Sequence, residues 1–240
     1  LDEREGLWGG YGEYMSILPG TQLVRLSDDI SAEELTLFEP LSNMVSWLGR
    51  AGFQAGQSIV IQGPGHMGLT CAAYARSLGA GTVIVTGTAD DAERLAVATE
   101  VGADVTVDVT VDDPVAAVMD LTGGLGTSLA VDLASAPITP GLCFDMVHHR
   151  GTVIWAGLKD RQAVSVVSDT VVMKGLTVMG GAGGDAASVD EAARILNGGG
   201  FPTGPLLGAV LGLDQVDRAM ALLHRDGDED AVRAVLKHTH

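Results

Sequence analysis

Six short β-branched runs recur along the middle of the chain, at Ser58–Gln62, Thr82–Thr86, Asp104–Asp108, Ser128–Asp132, Gly151–Trp155 and Leu176–Met179. Their first residues, 58, 82, 104, 128, 151 and 176, lie 22 to 25 residues apart. That interval has room for one strand, one helix and two turns, and little else. Five of the runs are nearly continuous apolar stretches, the pattern of strands covered on both faces. Between the second and third runs, Ala92, Leu95, Ala98 and Val101 share one helical face, with Glu93, Arg94 and Glu100 outside it. Strand and helix alternating in this way predict βαβ units and a parallel sheet. Right-handed crossovers then give a doubly wound α/β (Rossmann) fold.

The first run leads straight into Gly63-Pro64-Gly65-His66-Met67-Gly68, which satisfies G-x-G-x-x-G. With 33 glycines in 240 residues the pattern alone means little. Its place, after a strand and at the head of a helix expected over 67–78, gives it meaning. Gly63 would permit the tight turn, Gly65 the approach of a pyrophosphate, and Gly68 close packing of helix on strand. The free N–H groups of the helix start would hold the phosphates, with His66 a candidate phosphate contact and Met67 the next residue of the cradle. At the end of the second run, where an acidic residue would bind the ribose 2′-hydroxyl, stands Gly87. Asp90 and Asp91 follow, and Asp90-x-x-Glu93 reads equally as a capping box. Arg94 is the nearby cation that a 2′-phosphate would require. NAD is the expected cofactor and NADP the alternative.

Charge narrows the partners. Fourteen Lys and Arg against 31 Asp and Glu leave a net charge of −17, which repels nucleic-acid backbones and anionic membrane surfaces. No apolar run reaches the ~18 residues of a membrane span. The first residues carry neither the basic flank nor the apolar core of a signal peptide. Cys71 and Cys143 form no framework, which suits a reducing cytoplasm; both read as small core residues. Residue 1 is Leu, and Gly9–Met15 reads as the middle of a strand-rich region, so the chain is expected to start partway through a longer protein.

The flanks read differently from the centre. Residues 1 to 43 hold strand-like pieces, a Pro19-Gly20 turn and a helix start at Ser31–Glu34. Beyond residue 182 a helix is expected over 187–196, a strand over 206–211, a helix over 214–224 and a last strand over 231–236. His148 and His149 read as the cationic end of a helix, His224 as a helix end, and His238 and His240 as tail. Gly180–Gly184 reads as a crossing between domains.

The ordered pieces Gly9–Tyr14, Phe38-Glu39-Pro40-Leu41-Ser42, Gly63–Gly68, Ala75–Ala80, Glu100–Asp104, Leu121–Gly124 and Gly151–Gly157 resemble the zinc-dependent medium-chain alcohol dehydrogenases, above all the polyol and threonine dehydrogenase branch. The resemblance implies three segments. Residues 1–43 would be part of a β-rich (GroES-like) catalytic domain, 44–182 the dinucleotide-binding domain and 183–240 a return to the catalytic domain. It also implies that Glu39 is a ligand of a catalytic zinc, directly or through water. Asn43 would face the nicotinamide, and backbone at Ala134, Gly157, Leu158 and Gly181 would line the cofactor cleft. The family's other zinc ligands have no counterpart among these 240 residues.

The expected chemistry is hydride transfer between a secondary alcohol or polyol and NAD(P), in a dimer or tetramer, with this portion binding cofactor and turning over little by itself. Two alternatives stand beside it: a zinc-free enzyme resembling quinone reductases, against which Glu39-Pro40-Leu41 argues, and a non-enzymatic dinucleotide-binding protein.

Overall fold

The computed structural model describes residues 9–12, 14–224 and 231–238. In chain order the elements are α1 (Ala32–Leu35), α2 (Phe38–Arg50), β1 (Ser58–Gln62), α3 (His66–Ser77), β2 (Thr82–Gly87), α4 (Ala92–Val101), β3 (Val105–Asp108), α5 (Pro114–Leu121), β4 (Thr127–Asp132), α6 (Thr139–Met146), β5 (Val147–Trp155), α7 (Ser168–Lys174), β6 (Thr177–Gly180), α8 (Ala186–Asn197), β7 (Ala209–Gly212), α9 (Val216–His224) and β8 (Ala234–Lys237). Each of the six predicted runs overlaps one of β1 to β6, with β5 starting four residues earlier than expected. These strands form one parallel sheet in the order β3-β2-β1-β4-β5-β6. The order reverses between β1 and β4, and that is where a doubly wound sheet opens a crevice.

Burial explains why the central strands read as unbroken apolar runs. Ile59, Ile61, Val83, Val85, Leu129, Val131 and Ile154 point into one core, shared with Leu41, Met44 and Leu48 of α2, Leu69 of α3 and Leu196 of α8. Val60, Ile84, Ala130 and Val153 point into the other, against Val118 of α5 and Phe144 of α6. Alternate residues therefore serve opposite cores, and neither face of the sheet centre can be polar.

Two of the matched pieces owe their pattern to a single side chain. Arg76, near the end of α3, donates through Nε to the Gly102 carbonyl (2.9 Å) and through Nη1 to the Ala80 carbonyl (3.0 Å), and pairs with Asp104. Asp104 also accepts from Val83 N at 2.8 Å. A Cβ on Gly102 would lie 2.7 Å from that of Arg76, so the turn before β3 needs glycine.

The structure departs from expectation in the flanks. Among the described residues none before α1 forms a strand; Gly9–Gly12 and Tyr14 are turns and bends, with Tyr11 and Tyr14 exposed. A strand exists only through its partner, and no described segment lies alongside this one. The strand expected over 206–211 is β7, displaced toward the C-terminus by a 3₁₀ turn over Gly204–Leu206 that carries Pro205. β7 pairs with β8 in a separate two-stranded parallel sheet. His148 and His149 lie in the first part of β5, not at a helix end, because α6 stops at Met146. His224 does end α9; His240 lies outside the described residues.

The N- and C-terminal flanks touch each other. Asn197 bonds to Ser27 N (2.7 Å) and the Arg25 carbonyl (3.0 Å), Arg233 donates to the Thr36 carbonyl, and Lys237 pairs with Glu33. The expected boundary between residues 43 and 44 falls inside α2.

One buried ion pair clamps the crevice side of the sheet. Lys159, after β5, places Nζ 3.0 Å from Oδ2 and 3.1 Å from Oδ1 of Asp132 at the end of β4, with Thr139 Oγ1 at 3.2 Å and the Ala134 carbonyl also in contact. Asp132 is fully buried. Replacing Lys159 by Met strands that carboxylate, and urea denaturation is expected to show a loss of about 3–5 kcal/mol. The double variant with Asp132→Asn is expected to recover a large part of it.

Candidate functional site

The turn after β1 is built on steric necessity. Gly63 has φ +100°, and a Cβ there would meet Ala134 N at 3.0 Å, so this glycine allows the ends of β1 and β4 to touch. A Cβ on Gly68 would lie 1.9 Å from the Gly63 carbonyl oxygen, so α3 rests directly on the loop. Gly65 is different: a Cβ there meets nothing within 4 Å. Its φ of −71° and ψ of 177° are open to any residue, so protein packing does not demand glycine.

Gly65 is the N-cap of α3 and no side chain caps that helix. The first backbone bond of the helix runs from Leu69 N to the Gly65 carbonyl at 2.9 Å. The N–H groups of His66, Met67 and Gly68 thus stay available at the positive end of a 12-residue helix, over the open space beside Gly65. Met67 turns its side chain into the core below.

The end of β2 carries Gly87, as expected, with a packing reason: a Cβ there would lie 2.9 Å from Pro64 Cγ and 3.0 Å from Asp91 Cβ. The capping box is not Asp90-x-x-Glu93 but Thr88-x-x-Asp91. Asp91 is buried and accepts from Thr88 N (2.8 Å) and Thr88 Oγ1 (3.0 Å), while Asp90 is exposed. A 3₁₀ turn at Ala89–Asp91 ahead of α4 moves the cap two residues back from the expected position. A cleft of about 140 Å³ lies here, between Gly63 and Pro64, Gly87 and Thr88, Val109 and Ala134. Arg94, the expected 2′-phosphate cation, donates to the Ala231 carbonyl at 2.9 Å.

The remaining expected residues gather around the same crevice in part. Gly157, after β5, would drive a Cβ to 2.2 Å from the Ala134 carbonyl, and Gly181, after β6, would bring one to 3.1 Å from the Trp47 ring. Both are close-packed crossings at strand C-terminal ends, and Leu158 beside Gly157 is 84% exposed. Glu39 and Asn43 sit one turn apart on α2, joined by a 2.7 Å bond from Asn43 Nδ2 to Glu39 Oε1. Glu39 is exposed and Asn43 buried. Among the described residues no group of three or more His, Cys, Asp and Glu is placed to hold a metal ion, so Glu39 has no companion ligand and the donor set does not fit zinc. Cys71 and Cys143 are buried core residues; burial pushes the Cys71 thiol up to about 12 and raises Cys143 further still.

Arg233 is passed over in the sequence, and only the fold shows its surroundings. It precedes β8, donates through Nη2 to the Thr36 carbonyl, and has Nη1 buried with no hydrogen-bond partner. An orphaned guanidinium nitrogen is what an anion would satisfy. Arg233 also helps to hold the pKa of His66 below the ordinary 6.5: crowding by the surrounding chain is the main cause, Arg233 the next, with Glu39 opposing and Arg94 adding a little. The available signal was a lone Arg in the apolar run Ala231-Val-Arg-Ala-Val-Leu236. The open cradle at Gly65 and the free helix N–H groups fit a dinucleotide's phosphates.

Fold and loop are those of a doubly wound nucleotide-binding protein. Comparison with known proteins narrows the class. The family model of the zinc-binding dehydrogenases matches residues 67–198. The "Probable alcohol dehydrogenase" of Mycobacterium tuberculosis is 37% identical over 233 residues, or 95% of this chain and 64% of that protein. The L-threonine 3-dehydrogenase of Pyrococcus horikoshii is 30% identical over 231 residues, or 95% of this chain and 65% of that one. A crystal structure of 2R,3R-butanediol dehydrogenase from Bacillus subtilis superposes with a TM-score of 0.78 at 21% identity, covering 88% of this chain and 59% of that one. The chain belongs to the zinc-binding dehydrogenases, the zinc-type medium-chain alcohol dehydrogenase family, whose members use NAD(P). It spans a little under two thirds of the length of these relatives.

Two predictions follow from the geometry. Gly65→Ala is expected to leave the melting temperature unchanged but to weaken NADH binding roughly tenfold, about 1.4 kcal/mol. Gly68→Ala is expected to destabilise the fold itself by ~2 kcal/mol or more, because the loop carbonyl cannot yield without moving α3. Thermal melts and NADH titrations of the pair separate the two roles.

His66 gives a pH signature. Its pKa is lowered in the folded chain, so the unfolded chain takes up the proton first as pH falls through 6.5. Its contribution to the stability of the cofactor-free chain is full above that value and lost below it. Phosphates beside the ring favour the charged form, so NADH binding is expected to tighten as pH falls from 8 to 6. His66→Gln removes that component of both slopes, as denaturation and titration at matched pH values will show.

Proposed function

We propose that the chain is the cofactor-binding portion of a dehydrogenase that moves hydride between a secondary alcohol or polyol and NAD(P). The observation that carries this reading is the open cradle at Gly65: a glycine with no packing reason, at an uncapped helix start. The pyrophosphate lies over the N–H groups of His66 to Gly68. The adenosine end enters the cleft beside Gly87 and Thr88, and the nicotinamide end lies along Ala134, Gly157, Leu158 and Gly181, toward Asn43. NAD is the preferred dinucleotide, since the Asp91 carboxylate stands beside the strand end and Arg94 is engaged with Ala231. Glu39 is the one residue of this chain that the family resemblance makes a zinc ligand; the described residues give it no companion donor and by themselves do not hold the metal.

The three segments 1–43, 44–182 and 183–240 keep the roles that the family resemblance implies. No helix among the described residues is long and apolar enough to cross a membrane, and we place the protein in the cytoplasm. β6 is a sheet edge, with Val172 and Met173 of α7 exposed beside it, and we assign self-association to that edge.

Titrating the chain with NADH and NADPH, followed by nicotinamide fluorescence, tests the reading. Saturable one-site binding, tighter for NADH, with little oxidation of secondary alcohols by the chain alone, is expected. An absence of binding to either dinucleotide overturns it.

A further inference from the structure

Lys159 buries its charge in the wall of the crevice and keeps no donor for a ligand. Its side chain is 9% exposed, and Nζ lies among four oxygens: Oδ2 and Oδ1 of Asp132 at 3.0 and 3.1 Å, Thr139 Oγ1 at 3.2 Å, and the Ala134 carbonyl. An ammonium has only three protons to donate. What it holds is backbone. Ala156 N and Gly157 N donate to the Asp132 carbonyl at 3.0 and 2.8 Å, so the turn after β5 grips Asp132 at its carbonyl and, through Lys159, at its carboxylate. Asp132 in turn accepts from Ala134 N (3.3 Å) and Thr139 Oγ1 (2.8 Å). The turn does not hold itself. Asp160 (φ +48°) and Arg161 (φ +61°), the next two residues, are left-handed without being glycine, a conformation that persists only where the surroundings impose it.

The stretch so fixed is bare. A Cβ on Gly63 would meet Ala134 N at 3.0 Å and one on Gly157 the Ala134 carbonyl at 2.2 Å, so from phosphate loop to β5 turn the wall is backbone against backbone. On the reading proposed above, the pyrophosphate lies at one end of this wall and the nicotinamide half of the dinucleotide along the other. We propose that Lys159 is a positioning residue for the nicotinamide half: by tying the Ala134 carbonyl and the Asp132 carboxylate to the β5 turn, it sets where that half is received, and touches no part of the dinucleotide. The inference rests on the phosphate-cradle reading and adds the residue that aligns the second half of the ligand with the first. Preorganisation of this kind is felt by the whole dinucleotide and not by its adenosine diphosphate part.

The test is calorimetric titration of NADH, and of ADP, which shares the adenosine and pyrophosphate but has no nicotinamide, into the wild-type chain and three variants whose folding thermal melts check. In Lys159→Met combined with Asp132→Asn no charge is stranded, and the Asn oxygen still accepts from Ala134 N and Thr139, so the tie from the β5 turn is what is lost. Lys159→Arg keeps the ion pair, but a planar guanidinium cannot serve the carboxylate, the carbonyl and the hydroxyl together. Lys174→Met is the control, since Lys174 holds the carbonyls of Phe144 (2.8 Å), Asp145 (3.0 Å) and Val147 (2.9 Å) at the opposite end of β5. In the double variant the dissociation constant of NADH is expected to rise about tenfold and that of ADP to change less than about twofold. The emission of bound NADH should shift toward that of free NADH. Lys159→Arg should move NADH binding in the same direction by less, and Lys174→Met should lower the melting temperature and leave both affinities unchanged. Should the double variant not fold, Lys159→Arg decides alone. NADH affinity and emission that stay at the wild-type values in a folded Lys159 variant overturn this inference and leave the cradle reading standing. Equal weakening of NADH and ADP, or the same NADH loss in Lys174→Met, also overturns it, because general loosening then explains the effect. No binding of either ligand by the wild-type chain overturns the cradle reading and this inference together.

Discussion

The contact on which the rest of the structure depends is the seating of α3 on the carbonyl of Gly63. Gly68 reaches so close that a single added carbon would stand 1.9 Å from that oxygen. The approach fixes the direction of the helix axis relative to β1, and so fixes where the helix N-terminus points. It points across the loop, not into it, because Gly65 is extended and faces open space. A second close approach, Gly63 against Ala134, closes the crevice from the β4 side. The phosphate cradle is what is left when these two contacts are satisfied. It is geometry made by the absence of side chains, in a chain whose net charge of −17 would by itself repel phosphates.

Charge in the crevice is therefore local, and it is supplied from far along the chain. Arg233 reaches the start of α2 from the C-terminal flank, while Arg94 is held by the same flank through Ala231. Lys159 is spent entirely inside the protein, where it ties the turn after β5 to the end of β4 and keeps Ala134 and Gly157 in register. The basic side chains around the crevice are thus divided: one locks the backbone of the cleft, one braces the flank, and one keeps a nitrogen in reserve.

The sheet was legible because its strands are covered on both faces: alternate residues enter two cores, so β1, β2 and β4 had to be continuously apolar. The loop was legible because its glycines fall in a fixed spacing directly after a strand, and the Gly68 contact with the Gly63 carbonyl lies within that short segment. Features that rest on distant partners were not. Gly9–Tyr14 has the composition of a strand, but strand formation is decided by a neighbour that no described segment provides. The sequence pattern put the capping box at Asp90 with Glu93, whereas the 3₁₀ turn at Ala89–Asp91 sets it at Thr88 with Asp91. Arg233 was missed because its meaning comes from Thr36 and His66, 197 and 167 residues away in sequence. His148 and His149 looked like a helix end because β5 begins directly after α6, with no loop to mark the change.

The central claim is that the N–H groups heading α3 receive a dinucleotide's phosphates. Amide hydrogen exchange at His66, Met67 and Gly68, measured with and without saturating NADH, reads that claim at the atoms concerned. The account predicts that exchange at these three amides slows on NADH addition, while the exposed amides of α7 on the far side of the sheet keep their rates. NADH that binds and protects other segments, leaving these three amides unchanged, would contradict it.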